Sequence, residues 1–231
     1  RYLASTIFDR VMQDEIAQAS HARAATAQKN GTLAEEIAAV AVPQRRGDPI
    51  DIVDDEGIRP ATTMESLGSL RPAFTASGNI TAGNASQISD GASATVIMSA
   101  AKAAELGVAP FAELISYGQV AGPDCSLLTQ PSQAIASALS KVDGVSQSDI
   151  SLYEINEAFA AVAAASIDEL GISFDDVNVN GGAVALGHPI GASGNRLVLT
   201  LAHELRRRGG GIGAAALCGG GGQGDALIIR V

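Results

Sequence analysis

Three residues of this sequence stand where side-chain chemistry is practical: Asn156, His188 and Cys218. His188 lies in NGGAVALGHPIGASG, Asn180 to Gly194, between Gly187 and Pro189 and just ahead of a helical pattern. The glycines at 181, 182, 187, 191 and 194 let the backbone turn tightly and approach a ligand closely. A histidine fixed in such a loop serves as a base or as a hydrogen-bond donor to a developing oxyanion; packing within a turn is the plain alternative. Cys218 ends an apolar run and opens CGGGGQG. Backbone N–H groups beside it can stabilise a thiolate or an oxyanion, whereas a buried Cys is ordinarily a small hydrophobe. Asn156 opens NEAFAA at a change from strand to helix. There it holds a water or a substrate oxygen with Glu157 in support, or it caps the helix. The glycine spacing fits neither the P-loop nor the dinucleotide fingerprint.

These loops need strands and helices to bring them together. From residue 111 the pattern alternates: strand Phe111 to Val120, helix Gln130 to Val142, strand Ile150 to Ile155, helix Glu157 to Leu170, short strand Val177 to Asn180, helix Ala192 to Arg208, and strands Gly213 to Cys218 and Ala226 to Val231. Such alternation gives a layered α/β domain, with Asn156, His188 and Cys218 at one edge of one sheet. Ahead of it, residues 2 to 30 read as a helix with Ile7, Val11, Ile16 and Ala19 in helical register and Gly31 as its stop. Residues 37 to 88 are broken by prolines and glycines and read as a long ordered functional stretch. Ala94 to Met98 reads as a buried strand, and Ala100 to Leu106 as a helix stopped by Gly107. A short echo links SDGASATVIM, from Ser89, with GQGDALIIRV, from Gly222, and hints at duplication.

Composition narrows the function classes. The 231 residues are 46% hydrophobic but 3% aromatic, with 26 glycines, which suits tightly packed helix-on-sheet layers. A net charge of −10 argues against a nucleic-acid partner. No apolar run reaches the roughly 18 residues of a membrane-span candidate, so no membrane partner is expected. Cys125 and Cys218 are far apart, without metal-site spacing, and fit a reducing cytoplasm better than a disulfide framework. No metal is expected. The chain opens on Arg1 inside a helical pattern, so it is expected to begin within a longer polypeptide.

The three blocks, together with TAGNASQISDGA (Thr81 to Ala92) and GIRPATTMESLGSLRPAF (Gly57 to Phe74), resemble the thiolase family over nearly the whole chain. The resemblance implies a thiolase-like layered α-β-α-β-α fold, incomplete here: residues 1–88 as part of the substrate-covering loop domain, 89–110 as the last strand and helix of the amino-terminal domain, and 111–231 as the carboxy-terminal domain. It implies acyl transfer on acetyl-CoA in lipid metabolism, with coenzyme A as a substrate rather than a cofactor, in a homodimer or homotetramer. His188 is then the base that activates the acyl-accepting thiolate and a donor of the first oxyanion hole. Asn156 holds the water that completes that hole. Cys218 moves the α-proton, and the Gly220 N–H serves the second hole. Ala82 and Ser86 match the pantetheine arm; Arg59, Ser66, Ala73 and Phe74 match the nucleotide end; Phe159 packs near the thioester. The family's nucleophilic Cys has no match, since Cys125 lies in a Gly-Pro-Asp-Cys loop. Residues 89–99 would then lack partner strands and leave apolar faces uncovered, so the chain alone is expected to be poorly stable or inactive.

Overall fold

A computed structural model of the chain describes residues 8–231. Four strands form its main sheet: β3 (Glu113–Ala121), β4 (Ile150–Ile155), β5 (Ile212–Gly219) and β6 (Gln223–Arg230), in the order β3-β6-β5-β4. β4 and β5 run parallel; the other two pairings are antiparallel. Successive strand residues face opposite sides, so β5 sends Ala214 and Ala216 to one layer and Ala215 to the other. On the first side, helix α4 (Gln130–Leu139) packs Ala134, Ile135 and Ala138 against Tyr153, Ile155 and Ile228. On the second, helix α7 (Ile190–Arg207) packs Leu197, Leu201 and Leu205 against Leu152 and Ile229.

Small residues set the spacing between layers. At Gly118 of β3, an added Cβ would overlap the Ala134 carbonyl oxygen of α4 and lie 2.5 Å from the Ala138 nitrogen. Backbone cannot step aside as a flexible side chain can. Gly118→Ala is therefore expected to cost about 3 kcal/mol, the upper end of overpacking, as a lowered urea midpoint at unchanged m-value.

Helix α1 (Arg10–Lys29) starts at Asp9, whose side chain accepts from the Met12 N–H at 2.8 Å. It ends at Asn30, with Gly31 at φ +80°. The face it buries differs from the apolar register expected: Ile16 is buried, but Val11 is 57% exposed and Ala19 half-buried, and Ile7 lies outside the described residues. The buried face is Gln13, Asp14, Ile16, Ala17, Ser20, His21, Ala24 and Ala27. Asp14, Ser20 and His21 on that face have partners in other segments, which overrides hydrophobic periodicity.

The stretch after α1 is ordered with little regular structure. A two-stranded hairpin, β1 (Val40–Val42) with β2 (Ile50–Ile52), carries Arg45 and Arg46 at its exposed tip. Helix α2 (Met64–Gly68) opens on a reciprocal cap between Thr63 and Ser66. Asn84 replaces regular pairing: it accepts from the Thr81 N–H at 2.8 Å and donates to Asp14 and the Asn79 carbonyl.

Two expected strands are absent. Ala94 to Met98 is neither strand nor buried: Val96 and Ile97 are 85% and 83% exposed. Its residues are strand-formers, but no described strand runs alongside, and a strand exists only by pairing. The uncovered apolar face expected for 89–99 is present. Helix α3 (Ala100–Leu106) follows, ended by Gly107 at φ +65°. Val177 to Asn180 makes a single parallel bridge, Val177 to Tyr153, before Asn178 turns the chain at φ +48°. Helix α5 (Ala160–Leu170) starts three residues later than expected. A one-turn helix α6 (Ala183–Leu186) precedes His188.

Candidate active site

Asn156 follows the last residue of β4 and gives its N–H to the Ala216 carbonyl of β5 at 2.9 Å, two residues before Cys218. The parallel pairing of β4 and β5 thus brings Asn156 and Cys218 to the same strand ends. α5 is entered at Phe159, so Asn156 is not its cap. Asn156 instead points its side-chain amide at His188, Nδ2 to Nε2 at 3.3 Å. Its Oδ1 is buried without a hydrogen-bond partner among the described residues. A buried amide oxygen in that state is costly to leave dry and suits a water or ligand donor.

His188 is held from three sides. Its N–H donates to the Gln87 carbonyl at 3.1 Å. The Gln87 side-chain amide reaches the carbonyls of Gly57, Val184 and Ala185, tying the covering stretch to α6. Nδ1 lies 2.6 Å from Ser193 Oγ on the first turn of α7. Burial, and after it the Arg196 charge, lowers the imidazole below its ordinary pKa, so the ring is neutral near pH 7 and available as a base.

Cys218 is buried, and its burial pushes the thiol above its ordinary pKa, so it rests protonated. β5 gives way to the glycine turn at Gly219, and Gly221 and Gly222 hold φ of +89° and +81°. Gly220 is exposed, with open space around its Cα.

Beneath these groups lies a buried carboxylate. Glu157 accepts from Ser20 Oγ at 2.7 Å, Asn178 Nδ2 at 2.8 Å and the Val184 N–H at 3.1 Å. Asn178 also accepts from the Ile155 N–H and donates to the Ile155 carbonyl, both at 2.8 Å, and so continues the edge of β4 with a side chain. Ser20 accepts from the Gly182 N–H at 2.9 Å. Glu157 therefore supports the loop before His188 rather than touching Asn156 itself.

A second acidic group lies one strand position away. Glu154, 3% exposed, is met by Arg196 of α7 at 3.1 Å, yet burial still pushes its pKa up to about 8. Burial raises Glu36, Asp55 and Glu157 as well. A carboxyl whose pKa is higher folded than unfolded binds more protons in the native state. Its contribution is full below 4.5 and is lost as pH rises through about 8 for Glu154. Above pH 7, where the lowered His21, His188 and His203 no longer titrate in either state, the urea midpoint is expected to fall up to about pH 8.5, and Glu154→Gln to flatten that slope.

The remaining expected positions divide into two groups. Phe159 bridges Ala85 and packs edge-on to Phe74, ring centres 6.0 Å apart, and Ser86 N–H donates to the Ala158 carbonyl at 3.1 Å. Ser86, Phe74 and Phe159 are therefore grouped about residues 158–159, just after Asn156; Ala82 is exposed just upstream, and Ala73 N–H pairs with the Ile80 carbonyl. Arg59 and Ser66 are exposed and farther along the covering stretch: Arg59 N–H donates to His21 Nδ1 at 3.1 Å, and Ser66 is engaged with Thr63. Sequence reasoning missed Ser20, Gln87, Asn178 and Ser193. Ser193 alone had a legible signal, five residues past His188 and so one turn into the next helix. Among the described residues, no group of three or more His, Cys, Asp and Glu could hold a metal ion, and no helix is long and apolar enough to cross a membrane.

A neutral histidine, a protonated thiol and a carboxamide, beside a glycine turn, are acid–base and hydrogen-bonding groups gathered near the ends of β4 and β5 on a layered α/β scaffold. The models of the thiolase amino-terminal and carboxy-terminal domains match residues 1–101 and 108–231, and the chain belongs to the thiolase family. A probable acetyl-CoA acetyltransferase of Mycolicibacterium smegmatis is 56% identical over 223 residues, covering 96% of this chain and 57% of that protein. An acetyl-CoA acetyltransferase of Cupriavidus necator is 49% identical over 222 residues, covering 96% and 56%. Among solved structures, the Bacillus anthracis acetyl-CoA acetyltransferase superposes with a TM-score of 0.89 at 40% identity, over 96% of this chain and 56% of that one. Human mitochondrial 3-ketoacyl-CoA thiolase in complex with CoA gives 0.86 at 37%, over 96% and 55%. The chain thus has the thiolase fold and spans a little over half the length of these relatives.

Proposed function

We propose that this chain is the larger part of an acetyl-CoA acetyltransferase that condenses two acetyl-CoA molecules to acetoacetyl-CoA and CoA, and runs the reverse thiolysis. The observation that carries this is the Asn156–His188 pair, 3.3 Å apart, at the strand ends that also present Cys218. In this reading the acyl-accepting Cys lies outside these 231 residues. Residues 1–88 are loop domain, 89–110 close the amino-terminal domain, and 111–231 are the carboxy-terminal domain.

The chemistry follows from the protonation states. Neutral His188 takes the proton of the acyl-accepting thiol through Nε2, the nitrogen now facing Asn156. A covalent acyl-enzyme divides the reaction into two easier steps. Carbon–carbon bond formation needs a carbanion equivalent next to a thioester carbonyl, whose oxygen gains charge. Asn156, through a water, and His188 stabilise that oxygen, and the Gly220 N–H serves the second one; such a donor is worth roughly 2.7–4 kcal/mol in a dry site. Cys218 rests protonated, so it delivers a proton in thiolysis and becomes the base for condensation once that proton has left. Ala82 and Ser86 accompany the pantetheine arm and Phe159 the thioester; Arg59, Ser66, Ala73 and Phe74 stand toward the nucleotide, with Phe74 packed edge-on to Phe159. Coenzyme A is substrate, no cofactor takes part, and the enzyme is a cytoplasmic homodimer or homotetramer of lipid metabolism.

The test is turnover by the full-length polypeptide of acetoacetyl-CoA with CoA, beside a 3-ketoacyl-CoA of long chain. Faster cleavage of the short substrate is expected. Preference for the long one would favour a degradative 3-ketoacyl-CoA thiolase, a reading supported by the 37% identical human structures. Binding of acyl-CoA without any turnover would leave a non-catalytic acyl-CoA-binding protein.

A further inference from the structure

On the reading that His188 is the base of this site, we infer that Ser193 is the positioning residue that fixes which ring nitrogen of His188 carries the proton. Ser193 is 1% exposed and sits on the first turn of α7, whose Leu197, Leu201 and Leu205 pack it against the sheet. Its Oγ stands 2.6 Å from His188 Nδ1 and 3.1 Å from the Pro189 carbonyl oxygen. On the other side of the ring, Nε2 faces the Asn156 Nδ2 donor at 3.3 Å.

Proton accounting gives one consistent line through these atoms. Asn156 Nδ2–H donates to Nε2, so Nε2 bears a lone pair. The single ring proton is then on Nδ1 and is donated to Ser193 Oγ. The hydroxyl proton goes on to the Pro189 carbonyl, which can only accept. A neutral imidazole exchanges its proton between two nitrogens, and a base is useful here only with its lone pair on Nε2, toward the strand ends. The partner of the second nitrogen selects that state, as it does for histidines elsewhere. With Oγ removed, a half-buried Nδ1–H would face a closed helix turn without an acceptor, and the opposite tautomer would gain population.

The experiment uses the full-length polypeptide with Ser193→Ala and Ser193→Thr, each also made in a His188→Asn background. Ser193→Ala is expected to lower kcat for acetoacetyl-CoA thiolysis about 10–100-fold with KM changed by less than about twofold, by analogy with other residues that orient a functional histidine. Ser193→Thr, which keeps the hydroxyl, should recover most of that loss. In the His188→Asn background, Ser193→Ala should add nothing, because it acts only through the ring. A kcat for Ser193→Ala equal to that of an active parent would overturn the inference, and so would the same fold-loss in both backgrounds. If the parent itself shows no turnover, the proposed function fails instead. The tautomer is then read from the ring nitrogen NMR shifts of His188, assigned by their loss in His188→Asn: a protonated Nδ1 supports the inference and a protonated Nε2 overturns it.

Discussion

Replacing Cys218 by Ala in the full-length polypeptide should abolish exchange of the acetyl-CoA α-protons with solvent deuterium and lower kcat for condensation by about 10³-fold, within the range of a lost acid–base group. The geometry makes this loss selective. Cys218 is the next-to-last residue of β5, in register with Gly224 of β6, and Ala216, two residues earlier, is bonded to Asn156. Ala is close in size and keeps the strand, whose neighbouring positions are already Ala214, Ala215 and Ala216. Acylation of the enzyme by acetyl-CoA, a thioester exchange that uses His188 and breaks no carbon–carbon bond, should therefore survive better than carbon–carbon bond formation. Deuterium incorporation followed by mass spectrometry separates the two steps. Exchange at the parental rate in Cys218→Ala would remove Cys218 from the mechanism.

The second large effect is on stability. Glu157→Ala deletes an acceptor that serves three donors at once, from Ser20, Asn178 and Val184. Each donor left buried without a partner costs roughly 1–3 kcal/mol, and repacking recovers part of it, so a loss of about 3–5 kcal/mol is expected. The urea midpoint should therefore fall sharply. Activity should fall with it even well below the midpoint, since the network joins the residue after Asn156 to the turn that leads into His188. A variant that lost stability but kept full kcat would show that the network holds the fold and not the site.

The sequence drew attention to Asn156, His188 and Cys218 and concealed what surrounds them. Asn156, His188 and Cys218 stood out because glycine-dense loops at strand ends have few purely structural explanations. The β4, β5 and α3 segments were legible because each carries a complete local signal: a β-branched or apolar run, or a helix ended by Gly107. Ala94 to Met98 was misread for the opposite reason. Its residues favour a strand, but pairing is a property of neighbours, and none runs beside it in the described residues. The polar face of α1 was likewise invisible. Ser20 and Asp14 carry no apolar signal, and their burial follows only once Glu157 and Asn84, 137 and 70 residues away, are placed against them. Asn178 looked like a strand residue because its side chain imitates the backbone pairing of one.

The order β3-β6-β5-β4 has a consequence for the moment of synthesis. β3 is the first strand of this sheet to be made, and it pairs only with β6, the last. Glu113 and Arg230, opposite each other, are 117 residues apart in the chain. At the ribosome's roughly 5–20 residues per second, β3 waits about 6–23 s for its partner. Hairpins form in about 1–10 μs. Through that interval Leu114 and Tyr117 travel on an open edge, so a nascent chain is most prone to association between the emergence of residue 121 and that of residue 223.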